Sequence, residues 1–344
     1  MSGADEDLLE RILRAPVYDV AVETPLDPAP RLSERLGNQV WIKREDLQPV
    51  FSFKLRGAYN KLRTLNEAER KSGVIAASAG NHAQGVALAA TRLGVQSKIV
   101  MPTTTPAIKV DAVRRFGGEA VLFGDTYDDA SARAREILDK EGRVYVHPYD
   151  DPDVIAGQGT VALEILRQHK GALDAIFVPV GGGGLVAGIV AYVKRISPAT
   201  RVIGVEPEDA ACLAAALVAG APVDIGPVGL FADGVAVRQV GALPFEIVRD
   251  AIDEVITVGI DEICAAIRDI FDDTRSIAEP AGALAVAGLK RWVARDDVRG
   301  ANLVAIDSGA NMNFDRLRHV AERAEIGEQR EALLAVTIPE RPGA

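Results

Sequence analysis

The chain has 344 residues, 48% hydrophobic and 26% charged, which is material for one large domain or two ordinary ones and not the composition of a disordered chain. Its 39 basic and 49 acidic residues leave a net charge of −10, which argues against nucleic acid or an anionic membrane as partner; aromatics at 5% offer few platforms for stacking bases. Cys212 and Cys264 stand far apart with no CxxC, and His82, His147, His169 and His319 lack metal-ligand spacing, so the expectation is buried thiols, no disulfide framework and no metal centre.

The N-terminal stretch MSGADEDLLERIL is acidic and amphipathic, without the basic and apolar regions of a signal peptide, and no apolar run approaches membrane-spanning length. A cytoplasmic enzyme is the expectation. Next, VWIKRED reads as a strand, followed by FSFKLRGAYNKL at 51–62. There Phe51, Leu55, Ala58, Leu62 and Leu65 recur at helical spacing, with Ser52 as a candidate N-cap. Lys54 lies inside this apolar stripe, in the first turn, where desolvation and the helix dipole both favour a neutral, nucleophilic amine. By itself the position also fits a lysine that buries its stem and keeps its charge in water.

The strand GVIAASAG runs into the helix NHAQGVALAATRLG, so SAGNHAQG at 78–85 sits at a strand-to-helix turn. Ser78, Gly80 and Asn81 there are either ordinary cap residues or donors converging on a carboxylate, and the stretch alone does not decide. Strands SKIVMP, EAVLFG and RVYVHP alternate with helices TPAIKVDAVRRFG and DDASARAREILDKEG.

After AIFVPV comes GGGGLVAG at 181–188, opening an apolar helix. Consecutive glycines let backbone N–H groups turn towards an anion at a helix start, which is more than a tight turn requires. Gly182, Gly184 and Ala187 also match the GxGxxA dinucleotide fingerprint, and Glu206 ends the next strand, RVIGVE, at about the spacing of a ribose-binding acid. An NAD-dependent oxidoreductase is therefore the rival reading. EVITV and LVAIDSG follow, the last leading into DSGANMNF at 307–314. A Ser-Gly pair at a strand's C-terminal end is where open α/β sheets keep ligands, although in isolation it reads more simply as a turn. Whole-length apolar strands alternating with helices predict an α/β protein with two open, mostly parallel sheets covered by helices on both faces.

Taken in order, SFKLRGAY, SAGNHAQG, the glycine tract, EPAGALA (279–285) and SGANMNF resemble the fold type II pyridoxal-phosphate enzymes (tryptophan synthase β-like). From about residue 15 onward, with KREDLQPVFSFKLRGAYNKL and AERAEIGEQREALLAVTIPERPG, the chain most resembles the biosynthetic threonine dehydratases. The resemblance implies pyridoxal 5'-phosphate as cofactor, an amino-acid substrate, a homo-oligomer (dimer or tetramer), and dehydration of L-threonine to 2-oxobutanoate and ammonia, with L-serine going to pyruvate. It makes Lys54 the lysine that binds the cofactor covalently and Phe53 the residue packed on its ring. Asn81 then meets the ring hydroxyl, and Gly181, Gly182, Gly183, Gly184 and Leu185 hold the phosphate. Ser308 meets the pyridine nitrogen, and Gly234 and Glu279 are further pocket residues. Ser78, Ala79, Gly80, Asn81 and His82 form the substrate-carboxylate loop.

Lys54 and Ser308 are the expected catalytic residues. The implied domains are 1–47 with 149–326 (large), 48–148 (small), and 327–344 as the first strand of an ACT-type regulatory domain. With only that strand of the regulatory domain in the sequence, insensitivity to isoleucine is the expectation. EPEDAAC has Cys212 near the last position of a cation loop seen in serine-acting relatives, so no metal is expected there.

Overall fold

In the computed structural model, residues 7–328 are described. The strands are β1 (Leu26–Pro28), β2 (Gln39–Arg44), β3 (Val74–Ala77), β4 (Ser97–Met101), β5 (Glu119–Leu122), β6 (Val144–Tyr145), β7 (Ala175–Pro179), β8 (Arg201–Pro207), β9 (Glu254–Val258) and β10 (Asn302–Asp307). They form a six-stranded sheet in the order β1-β2-β10-β7-β8-β9 and a four-stranded sheet in the order β5-β4-β3-β6. Every pairing is parallel except β1 with β2. The strand runs expected from VWIKRED through LVAIDSG all appear. β1 was not foreseen, because a three-residue antiparallel edge ending in proline leaves no periodic signal.

Alternation along the strands builds two cores from one sheet. Phe177, Ile203, Val205, Leu303 and Ala305 face the helices Ile260–Thr274 and Pro280–Asp296. Ile176, Val178, Val202, Val304 and Ile306 face the helices Pro152–Gln168 and Gly184–Ile196. The smaller sheet repeats the pattern, with Val74, Ala76, Ile99 and Met101 on one face and Ile75, Ala77 and Val100 on the other. Burial on both faces is why these strands are apolar along their whole length.

The stripe around Lys54 differs from the sequence reading at its start. The helix is Lys54–Arg63, with Phe53 as N-cap, while Phe51 lies outside it, 46% exposed and at φ 55°. Ser52 is drawn away by an antiparallel bridge to Gly309, although its Oγ still accepts from the Lys54 N–H at 3.4 Å. At the other end, a helix spans Leu317–Gly327, and the expected strand within 329–344 lies outside the described residues. Among the described residues no helix is long and apolar enough to cross a membrane.

Candidate active site

The C-terminal ends of β3, β7 and β10 and the start of the Lys54–Arg63 helix come together, because the turn after each strand feeds the next element from the same edge. Lys54 is half-buried, and its Nζ donates to the Pro148 carbonyl at 3.0 Å and lies 5.3 Å from the centre of the Phe53 ring. Burial pushes its pKa down to about 8, with the Glu279 carboxylate partly opposing that shift. Phe53 is itself buried and donates its N–H to the Ser308 carbonyl, so Lys54 and Ser308 are held through adjacent backbone.

Asn81 donates through Nδ2 to Glu279 Oε1 at 2.6 Å and accepts from Asn311 Nδ2 at 2.7 Å. Burial, and after it the Asp233 charge, raises Glu279 to about 7. Asp233 forms an ion pair with Lys109 at 2.6 Å, joining the helix Ala107–Arg115 to the turn that carries Gly234. A methyl on Gly234 would lie 2.9 Å from Ala281 Cβ and 3.2 Å from Glu279 Oε1, so only glycine lets that turn approach. Ser308 is buried, with Oγ 3.4 Å from the Ala281 carbonyl. Lys54, Phe53, Asn81, Gly234, Glu279 and Ser308 thus form one contiguous wall.

Each glycine of the tract has a close neighbour where a side chain would stand. A methyl on Gly182 would come within 2.2 Å of the Tyr149 ring, one on Gly184 within 3.0 Å of Tyr149 Cα, and one on Gly181 within 3.0 Å of Val235 Cα. Gly183 has φ 92° and caps the helix Gly184–Ile196 with no side-chain partner for its first N–H groups. Leu185 is buried in that helix's first turn. Because Tyr149 follows Pro148, the same strand-end segment touches both the glycine tract and the Lys54 amine.

Ser78, Ala79, Gly80 and Asn81 are half-buried at the start of the helix Asn81–Arg92, which has Gly80 as N-cap and no side-chain cap. A methyl on Gly80 would meet nothing within 4 Å, so this helix end opens on free space. His82 turns inward instead: it is buried, with Nε2 2.9 Å from the Val146 carbonyl, and burial pushes its pKa to about 3. Only its backbone N–H is left to the loop.

Sequence reasoning missed Tyr149, the Pro148 carbonyl, Asn311 and the Lys109–Asp233 pair. Asn311 stood inside a motif already quoted; the others leave no local signature. Glu206, the ribose-binding acid of the rival reading, accepts from the N–H groups of Leu213 and Ala214 at 2.8 and 2.9 Å, and so serves the helix Cys212–Ala219.

A depressed amine, an amide-rich helix start and a hydroxyl on one wall suit an aldehyde-bearing, phosphorylated ring. The chain belongs to the pyridoxal-phosphate dependent enzyme family, which matches residues 17–309. It is 58% identical to the biosynthetic L-threonine dehydratase IlvA of Burkholderia multivorans over 99% of this chain and 68% of that protein. To the Escherichia coli protein of that name it is 56% identical, over 100% of this chain and 67% of the relative. The chain therefore spans about two thirds of the length of these bacterial relatives. Among solved structures it resembles the processed form of threonine deaminase isoform 2 from Solanum lycopersicum, at TM-score 0.91 and 52% identity over 94% of each chain. Maize serine racemase follows the same fold at TM-score 0.85 and 30% identity, over 93% of this chain and 98% of that one.

Proposed function

We propose that the chain dehydrates and deaminates L-threonine to 2-oxobutanoate and ammonia, as a step of isoleucine biosynthesis, and converts L-serine to pyruvate. The observation that carries this reading is the Lys54 amine, lowered to about 8 by burial and set between the glycine tract and the Asn81–Glu279 pair. The names of the relatives and the serine racemase likeness support both substrates.

Bound pyridoxal phosphate supplies an electron sink for the pair left when the substrate's Cα–H bond breaks. The amides of Gly181–Leu185 hold its phosphate, Phe53 packs on its ring, and Asn81 and Ser308 meet the ring hydroxyl and nitrogen. A serine hydroxyl does not force that nitrogen to be protonated, which suits elimination over transamination. The helix start at Ser78–Asn81 orients the substrate carboxylate, with His82 contributing its N–H. Lys54 Nζ removes the Cα proton, and the β-hydroxyl departs with its bonding pair and takes up a proton, which balances the one lost from Cα, to leave as water. The freed enamine tautomerises to an imine that water hydrolyses to the oxo acid and ammonia.

The same reading divides the chain at 1–47 with 149–326 and 48–148, in keeping with the two sheets. It includes a cytoplasmic location, supported by two buried, unpaired cysteines, and a homo-oligomer, as the family resemblance implies. The test is product identification with each amino acid, by oxo-acid derivatisation and mass spectrometry. Formation of 2-oxobutanoate from L-threonine is expected; absence of any oxo acid from either amino acid, with cofactor present, refutes the reading.

A further inference from the structure

Outside the pocket, Lys43, Glu45, Arg56 and Glu164 are each 0% exposed. Arg56 follows Lys54 on the same helix, and every donor of its guanidinium is used. Nε and Nη2 donate to Glu45 at 2.8 and 2.7 Å, and Nη1 and Nη2 to Glu164 at 2.5 and 2.9 Å. Nη1 also donates to Thr160 Oγ1 at 3.1 Å. Lys43 Nζ spends its own donors on the Thr24 carbonyl at 2.6 Å, Glu164 at 2.6 Å and Gln168 at 3.1 Å. Tyr18 and the Thr24 N–H add further bonds to Glu164, and the Thr24 hydroxyl one to Glu45.

Stability does not explain such a cluster, because well-packed apolar side chains of similar volume are often as stable or more so. What charged forks add is direction. The cluster joins three elements: the end of β2 with the turn after it, the helix Pro152–Gln168, and the first turn of the helix that begins at Lys54. Strand β2 pairs with β10 so that Lys43 faces Ile306 and Arg44 faces Asp307, immediately before Ser308. Backbone contacts remove the slack. A methyl on Gly157 would lie 2.7 Å from the Arg56 carbonyl, and one on Gly85 would lie 3.2 Å from that of Lys54. The Gly57 N–H donates to Gln158 at 3.2 Å.

We infer that Lys43, Glu45, Arg56 and Glu164 are positioning residues, which lock the first turn carrying Lys54 to the strand pair that leads into Ser308 and so set where the amine stands over the substrate. The inference rests on Lys54 acting as proposed above.

Arg56→Lys keeps the charge and loses the fork; Glu45→Gln keeps the shape and loses a charge. In the cofactor-loaded, folded variants, kcat on L-threonine should fall roughly 10–100-fold, as a misplaced group of about 1 Å demands. KM should stay within about threefold, since the substrate loop is untouched. The pH midpoint of the visible absorbance of the lysine-linked cofactor should move as well. A folded variant that keeps kcat and that midpoint overturns the inference, however far its melting temperature drops, and so does a change confined to KM. If Arg56→Lys does not fold, Glu45→Gln decides on the same criteria. Lys54→Ala separates the two levels: a visible band that survives it defeats the assignment of Lys54, whereas its loss alongside unchanged Arg56 and Glu45 variants defeats only the positioning role.

Discussion

Two strand-to-helix turns in this molecule expose uncapped helix starts, and they are built in opposite ways. At Gly181–Gly184 a methyl on Gly182 or Gly183 would fall within 3 Å of a neighbour, and one on Gly181 or Gly184 at that limit, with Tyr149, Val235 and Pro244 pressing on the backbone. At Gly80 the same methyl would meet nothing within 4 Å. The first is a rigid cradle whose amides are fixed before any anion arrives, which suits a group that stays. The second leaves room at its mouth, which suits a carboxylate that must enter and leave at each turnover. Lys54 stands between them, its amine tied to Pro148 on the cradle side and its backbone carbonyl close to Gly85, one turn into the helix of the open side.

The largest effect is expected where the two turns meet. Lys54→Ala should lower kcat by about 10³-fold or more and remove the visible absorbance of the loaded enzyme, since both the covalent anchor and the proton acceptor go. A spectrophotometric titration with pyridoxal phosphate and an oxo-acid assay check both halves. Next comes the rigid cradle. Gly182→Ala forces Tyr149 to move and should destabilise the fold by about 1–3 kcal/mol while weakening cofactor retention, measured by melting with and without cofactor. Retention equal to that of the parent would show that the cradle is not where the phosphate rests.

The cradle and the open turn were both legible in the sequence, because each motif is local: glycines, a strand before, a helix after. Whole-length apolar strands announced a sheet covered on both faces, and the cores on either side of β7, β8 and β10 show why. What stayed hidden depends on partners far along the chain. The Pro148 carbonyl reaches Lys54 across 94 residues, and Arg56 reaches Glu164 across 108. In KREDL, Lys43 and Glu45 are fully buried, which nothing in the stretch itself announces. Phe51 misled for a related reason: the Ser52–Gly309 bridge pulls the chain out of helical geometry just before Lys54, overriding the apolar spacing.

The open turn predicts a smaller and different effect. Gly80→Ala places a methyl in free space, so the fold should hold to within about 0.5 kcal/mol. KM for L-threonine should rise severalfold with kcat little changed, because the substitution touches the entry of the carboxylate and not the amine. A matched loss of stability would mean that this turn is as tightly packed as the cradle.

The smallest expected change is a shift in pH dependence, and it reports on the ground between the two turns. Lys54 is lowered from 10.5 to about 8, mainly by burial, and the Glu279 charge acts against that shift by favouring the protonated amine. Capture of pyridoxal phosphate by the cofactor-free enzyme needs the neutral amine, so its rate should climb with pH through a midpoint near 8. Glu279→Gln removes the opposing charge and should move the midpoint lower, not higher. It also keeps an acceptor for Asn81, so the hydrogen bond across the wall survives. Because Glu279 itself lies near 7, the parent enzyme should lose part of this influence below that pH, where the carboxyl becomes neutral; the variant and parent curves should then converge on the acid side and separate above it. Stopped-flow absorbance across pH 6 to 10 reads both curves, and a midpoint that rises in Glu279→Gln would mean that the carboxylate does not face the amine.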